Sequence, residues 1–60
     1  MTPKYLQGDR VLWRDRQNYM VAGTVLRVRM EPGGATYEVD VNGIVVLAAE
    51  EDLRRSGGPR

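Results

Sequence analysis

The sequence Gly-Asp-Arg-Val-Leu-Trp at residues 8–13 decides the fold of this chain. Val11 and Trp13 are two residues apart, so a β-strand over residues 10–14 would place both side chains on one face. The opposite face would carry Arg10, Leu12 and Arg14. One apolar face and one mainly charged face are typical of a strand that covers a core on one side and meets solvent on the other.

The same alternation continues along the chain and predicts four further strands, at residues 21–30, 36–41, 44–48 and 54–55. The apolar phase of the second strand shifts after Val25, which predicts a β-bulge or a sharp bend, with close backbone approach at Gly23. Asn42-Gly43 predicts a two-residue hairpin turn. Residues 50–53 predict a single 3-10 turn that brings Leu53 into one end of the core. We therefore expect an all-β fold, a single five-stranded barrel with a 3-10 turn before the last short strand.

Length and composition exclude many classes of function. We expect the 60 residues to form one domain, divided into an N-terminal arm (1–7), a barrel (8–55) and a disordered tail (56–60). The chain has no Cys and no His, which excludes disulfides, thiolate nucleophiles, histidine bases and the usual zinc sites. We therefore expect no enzyme, with no catalytic residue, no cofactor and no metal. No apolar run is long enough to cross a membrane, so we expect a cytoplasmic protein without membrane partners.

The two halves of the chain carry opposite charge. Residues 1–30 have six basic and two acidic side chains, a net charge of +4, whereas residues 31–60 have three basic and six acidic ones, a net charge of −3. The basic half predicts a surface for an anionic partner, with aromatic side chains adding contact area. The predicted ligand-binding residues are Trp13, Arg14, Arg16, Tyr19, Arg27 and Arg29. Alternatively, these arginines form ion pairs across strands with Glu38 and Asp40.

The fourth predicted strand is apolar on both faces. Val45 and Leu47 share one face, and the other face carries Ile44, Val46 and Ala48. A strand of this kind is normally buried on both faces, and no predicted helix is available to cover it. We expect a homo-oligomer in which a second subunit covers Val45 and Leu47. The alternative is that the N-terminal arm covers this face through Tyr5 and Leu6.

Residues 7–55 resemble the SH3-like small-barrel superfamily, on the motifs Gly8-Asp9, Gly23-Thr24-Val25, Tyr37-Glu38-Val39-Asp40-Val41 and Glu51-Asp52-Leu53. The skeleton is also similar to the plasmid-encoded type II dihydrofolate reductases. In that family a Val-Gln-Ile-Tyr motif in the fourth strand binds substrate and cofactor in a central pore. Residues 45–48 here read Val-Val-Leu-Ala, so Val46 and Ala48 replace the Gln and the Tyr. This resemblance implies a pore-forming oligomer with reduced or no reductase activity.

A further resemblance is to Tudor-type domains, which hold methylated lysine or arginine in a cage of aromatic side chains. The side chains that would form such a cage are Trp13, Tyr19, Tyr37 and Tyr5. The motif content is also similar to small barrels of ribosomal, transcription and photosystem accessory proteins, which bind RNA, DNA or protein. We expect a non-catalytic binding or assembly module for a protein or nucleic-acid partner. The reductase-like pore and the Tudor-like reader are the alternatives.

Overall fold

The structure, a computed structural model, describes residues 2–56 of the chain. It contains five strands: β1 Arg10–Arg14, β2 Met20–Glu31, β3 Gly34–Val41, β4 Ile44–Ala49 and β5 Leu53–Arg55. The single helix in this range is the 3-10 turn Glu50–Asp52, and no helix here is long and apolar enough to cross a membrane. The predicted all-β class is confirmed, and the strand ends differ from the predicted ones by at most two residues. Residues 57–60 of the predicted tail lie outside the described residues.

The five strands form one antiparallel sheet in the order β4-β3-β2-β1-β5. Strands β1 to β4 follow one another as hairpins, whereas β5 returns across the domain to pair with β1. The 3-10 turn redirects the chain between β4 and β5. Strands β4 and β5 are therefore the two edges of the sheet, and each has a neighbouring strand on one side only.

The core lies on one face of the sheet and consists of the alternate residues that the sequence pattern predicted. Val11, Val25, Tyr37 and Val39 are at most 1% exposed. The register places Val25 directly opposite Val39, so the two side chains pack on the same face. Burying a side chain of this size contributes roughly 1.5–3 kcal/mol relative to leaving it exposed. Leu53 is also buried, which confirms its predicted position at the end of the core.

Strand β2 contains a β-bulge, which keeps its apolar side chains toward the core both before and after the bend. Between Val25 and Arg27 the strand advances two residues while β3 advances one, so Leu26 is the extra residue. The apolar phase changes at this point, as the sequence predicted. Gly23 lies just before the bulge, where a Cβ atom would be 2.8 Å from the backbone oxygen of Asp40.

Two tight turns set the register of β2, β3 and β4. Asn42 and Gly43 have φ angles of 53° and 85°, the positive values that a type I′ hairpin turn requires. The Asp40 carboxylate accepts a hydrogen bond from the Gly43 N–H at 2.9 Å. The turn between β2 and β3 ends at Gly34, whose φ of 135° is readily adopted only by glycine. The turn predicted at Asn42-Gly43 is thus confirmed.

Candidate functional site

Strand β4 is an unprotected edge of the sheet. Three of its side chains are strongly exposed apolar groups: Ile44 (67%), Val45 (56%) and Leu47 (65%). The strand contains no charged residue and no proline, and its pairing with β3 has no bulge from Ile44 to Ala49. Edge strands of natural proteins usually carry a charge, a proline or a bulge to prevent pairing with another chain. Because β4 has none of these features, it is a candidate association surface.

The side chains of β4 divide between two faces, as the sequence predicted. Val46 and Ala48 pair with core residues of β3 and pack against them, whereas Val45 and Leu47 lie on the outer face. Because the turn before β4 has two residues, the even-numbered residues of β4 exchange backbone hydrogen bonds with β3. The N–H and C=O groups of Val45, Leu47 and Ala49 therefore point toward the free edge.

The N-terminal arm packs at the end of the core and not over β4. Tyr5 is buried, and its ring meets that of Tyr37 edge-on, with centroids 5.5 Å apart. The Tyr5 hydroxyl donates a hydrogen bond to the backbone oxygen of Leu53 at 3.0 Å. Leu6 remains 58% exposed. The alternative in which the arm covers Val45 and Leu47 is therefore wrong, because Tyr5 is used in the core and both β4 side chains stay exposed.

A polar network joins the arm to the body of the domain. The Tyr37 hydroxyl donates to the Glu50 carboxylate at 2.5 Å and accepts from the backbone N–H groups of Lys4 and Tyr5 at 3.1 and 3.3 Å. Glu50 also accepts from the Lys4 N–H at 3.0 Å. Burial, reinforced by the Glu50 hydrogen bond, raises the pKa of Tyr37 above 10.0. The same hydrogen bond lowers the pKa of Glu50 below 4.5. We assign this network to holding the arm in place.

Two of the six predicted ligand-binding residues form ion pairs within the sheet. Arg27 and Arg29 lie on the outer face of β2, with guanidinium nitrogens 4.0 and 3.9 Å from the Glu38 carboxylate on β3. This is the cross-strand pairing that the sequence left open as an alternative. Asp40, the other predicted partner, accepts instead from the turn at Gly43. Arg27 and Arg29 are therefore partly neutralised by Glu38.

The other four predicted residues lie at the opposite end of β2. Arg14 pairs with Met20, and Met20 is seven residues from Arg27, roughly 23 Å along an extended strand. Arg16 and Tyr19 are exposed in the loop between β1 and β2. Trp13 faces the core side and is half-buried against it. The six predicted residues thus fall into two separate groups.

Several residues that the Tudor-like and reductase-like alternatives require are buried in the core or packed against it. Tyr5 and Tyr37 are buried, so only Trp13 and Tyr19 of the four cage candidates reach solvent. Val46 and Ala48, which stand at the reductase positions for Gln and Tyr, pack against core residues of β3.

The charged face that the sequence predicted for β1 is extended by a residue of β5. Leu12 lies directly opposite Ala22 on β2 and Arg54 on β5, so the three side chains share one face. Arg10 and Arg14 lie two residues before and after Leu12 and share this face. We call Arg10, Leu12, Arg14 and Arg54 the basic face. Arg54 was missed because alternation along a chain does not reveal which strands become neighbours.

Acidic side chains and one groove complete the description of the surface. No group of three Asp or Glu side chains within residues 2–56 is arranged to hold a metal ion. A groove of about 600 Å³ beside Tyr5 has charges of both signs along its walls. Comparison of the chain with family models, curated proteins and solved structures found no match.

Proposed function

We propose that this chain is a non-catalytic assembly module, a small SH3-like barrel that associates with a second copy of itself through β4. The observation that supports this is the presence of unpaired backbone groups and exposed apolar side chains on one edge strand. An exposed edge is a template for another strand. Burial of apolar surface such as that of Val45 and Leu47 contributes about 25 cal/mol per Å². One contact would satisfy both the backbone and the side chains.

Antiparallel pairing of two β4 strands about a two-fold axis suits the chemistry of β4. With the axis at Leu47, this residue faces the partner's Leu47, and Val45 faces the partner's Ala49. These residues are also the ones whose backbone groups point toward the free edge. No like charges meet, because β4 has no charged residue. A two-fold contact closes on itself, so a dimer is expected and not an open fibre.

Self-association would also stabilise a small domain. The described residues bury eight hydrophobic side chains, and a chain of this length buries only about 60% of its unfolded surface. The sequence has no cysteine, so no disulfide contributes. Small domains of this kind often depend on oligomerisation for stability.

The solution mass, measured by size-exclusion chromatography with light scattering, tests this proposal. The wild-type chain is expected at twice its 6.8 kDa mass, at low and at high salt, because an apolar contact is insensitive to screening. Leu47→Lys places a charge in the contact and is expected to give a folded monomer. Leu6→Lys is the matched control, since Leu6 is similarly exposed but belongs to the N-terminal arm and not to β4, and it is expected to remain a dimer.

A wild-type chain that stays monomeric at high protein concentration would contradict the proposal. So would equal masses for Leu47→Lys and Leu6→Lys. Far-UV circular dichroism of both variants establishes that a change in mass is not a consequence of unfolding.

A further inference from the structure

We propose that the basic face binds single-stranded nucleic acid, with its arginines on phosphates and Tyr19 stacked on a base. The face spans three strands, because Leu12 on β1 lies between Ala22 on β2 and Arg54 on β5. It is separate from β4, which lies at the other edge of the sheet. This site is therefore independent of the proposed self-association.

The arginines of the basic face have no carboxylate partner in the described chain. Among residues 2–56, the ion pairs within 4.0 Å are those of Arg27 and Arg29 with Glu38. Arg10 and Arg54 are exposed, and Arg14 is half-buried. The positive charge of this face is therefore available to an external anion.

The two carboxylates that flank β1 are occupied by backbone groups. Asp9 accepts a hydrogen bond from the Leu6 N–H at 2.9 Å. Asp15 accepts from the N–H groups of Gln17 and Tyr19, both at 2.9 Å. These contacts shape the chain before and after β1, and they keep both carboxylates in local turns.

The spacing of the arginines suits a phosphate chain. Arg10 and Arg14 are four residues apart, about 13 Å along β1. Arg54 lies on the next strand, about 4.8 Å away, opposite the residue midway between them. A guanidinium group presents paired donors that match phosphate oxygens. Three such groups around Leu12 can contact several phosphates of one strand.

Tyr19 lies in the loop next to one end of the face. Its side chain is 67% exposed, and it directly precedes Met20, which lies opposite Arg14. The backbone of Tyr19 is held in the loop, because its carbonyl oxygen accepts from the Asp15 N–H at 2.9 Å. An exposed ring is a surface on which an unpaired base can stack, and Tyr19 is one residue from the end of the basic face.

The architecture favours a single strand over a duplex. Residues 2–56 contain no α-helix that could enter a major groove. Strand β1 is flanked on both sides by β2 and β5, so it is not part of a free two-stranded ribbon either. A sheet surface with an exposed ring contacts splayed bases, which a duplex does not offer.

Fluorescence anisotropy of labelled oligothymidylate at increasing sodium chloride tests the proposal on the full chain. Three arginine–phosphate contacts predict a slope of log K against log salt of about −2. A fourfold rise in salt should then weaken binding roughly twentyfold.

Two double variants with the same change in net charge distinguish binding at the basic face from a general effect of net charge. Arg10→Gln with Arg54→Gln is expected to reduce the slope by about 1.4 and to weaken binding at low salt at least about tenfold. Arg27→Gln with Arg29→Gln is the matched control, since those arginines pair with Glu38, and its slope should stay unchanged.

Tyr19→Ala is expected to weaken binding about tenfold with the slope unchanged, whereas Tyr19→Phe keeps the ring and the affinity.

The proposal fails if the chain does not bind the oligonucleotide at low salt, or if the two double variants lose the same affinity. Equal affinity for duplex DNA would show that the basic face contacts phosphates and does not contact unpaired bases. Tighter binding of polyglutamate would assign it to an acidic protein. Either result overturns the choice of single-stranded nucleic acid. Circular dichroism checks that each variant is folded.

Discussion

At the scale of single residues, Gly23 is the glycine of the described chain that leaves no room for a Cβ atom. A Cβ atom there would lie 2.8 Å from the Asp40 backbone oxygen, 2.8 Å from Val39 Cγ1 and 3.1 Å from Val41 Cγ2. The first of these is a backbone atom of β3, which cannot move without disturbing the sheet. The close approach of β2 and β3 next to the bulge therefore requires glycine.

Gly23→Ala is expected to destabilise the chain by about 1–3 kcal/mol, because the methyl group overpacks the contact between β2 and β3. Gly33→Ala is the control, since no heavy atom lies within 4 Å of the added Cβ. Its free energy of unfolding should stay within about 0.5 kcal/mol of wild type. Urea denaturation at a fixed protein concentration measures both, and equal midpoints for the two variants would contradict the steric argument.

Glu38 shows why the charge of a single arginine does not by itself indicate a binding site. Its carboxylate is near both Arg27 and Arg29, whose side chains are 69% and 51% exposed. Exposed ion pairs of this kind contribute only about 0–1 kcal/mol. Their loss should therefore leave the fold intact, which makes these arginines suitable controls for the basic face.

At the scale of the element, β4 alternates in its backbone as well as in its side chains. The N–H of Val45 points toward the free edge, whereas the N–H of Val46 points toward β3. Proline lacks an N–H and is tolerated on edge strands where that group faces solvent. Proline substitutions at two adjacent positions of β4 can therefore distinguish the contact at the free edge from the pairing of β4 with β3.

Val45→Pro is expected to give a folded monomer, because it removes an edge donor while the hydrogen bonds to β3 remain. Val46→Pro is expected to unfold the chain or destabilise it strongly, because it removes a hydrogen bond between β3 and β4. Light scattering and far-UV circular dichroism measure the mass and the fold. A folded dimer of Val45→Pro would show that the edge backbone of β4 is not the contact.

At the scale of the whole molecule, the network around Tyr37 links distant parts of the chain. It connects the arm at Lys4 and Tyr5 to Tyr37, 33 and 32 residues away, and to Glu50, 46 residues from Lys4. Tyr5 also reaches Leu53, 48 residues away. Two of the hydrogen bonds that hold the ends of the domain together, from the Lys4 N–H and the Tyr37 hydroxyl, end on the Glu50 carboxylate, so their strength depends on its charge.

The stabilising effect of Glu50 is expected to depend on pH. Because folding lowers the pKa of Glu50 below 4.5, its contribution is present above about pH 4.5 and is lost as the pH falls through the folded-state pKa. Wild type should therefore have a higher Tm than Glu50→Gln at about pH 7, with a difference that shrinks in acid. Thermal unfolding followed by circular dichroism measures this difference. Glu51→Gln is the control on the exposed neighbouring residue, and a difference for Glu50→Gln that does not change with pH would contradict the assignment.

The candidate surfaces were only partly predictable from the sequence. Val45 and Leu47 were identified correctly as an outer apolar pair, because alternation within one strand assigns faces. The sequence could not show that Arg27 pairs with Glu38 whereas Arg14 has no carboxylate within 4.0 Å, since both arginines follow the same alternating pattern. Arg54 was missed because it joins the basic face only through the pairing of β5 with β1.

The sequence by itself determined the local elements of this protein. Period-two alternation predicted the strands, the phase change after Val25 predicted the bulge, and Asn42-Gly43 predicted the hairpin turn, because each depends on a few neighbouring residues. Only the tertiary structure decided the order of the strands, the burial of Tyr5 and the assembly of the basic face. These depend on contacts between residues far apart in the chain, which local preferences do not encode.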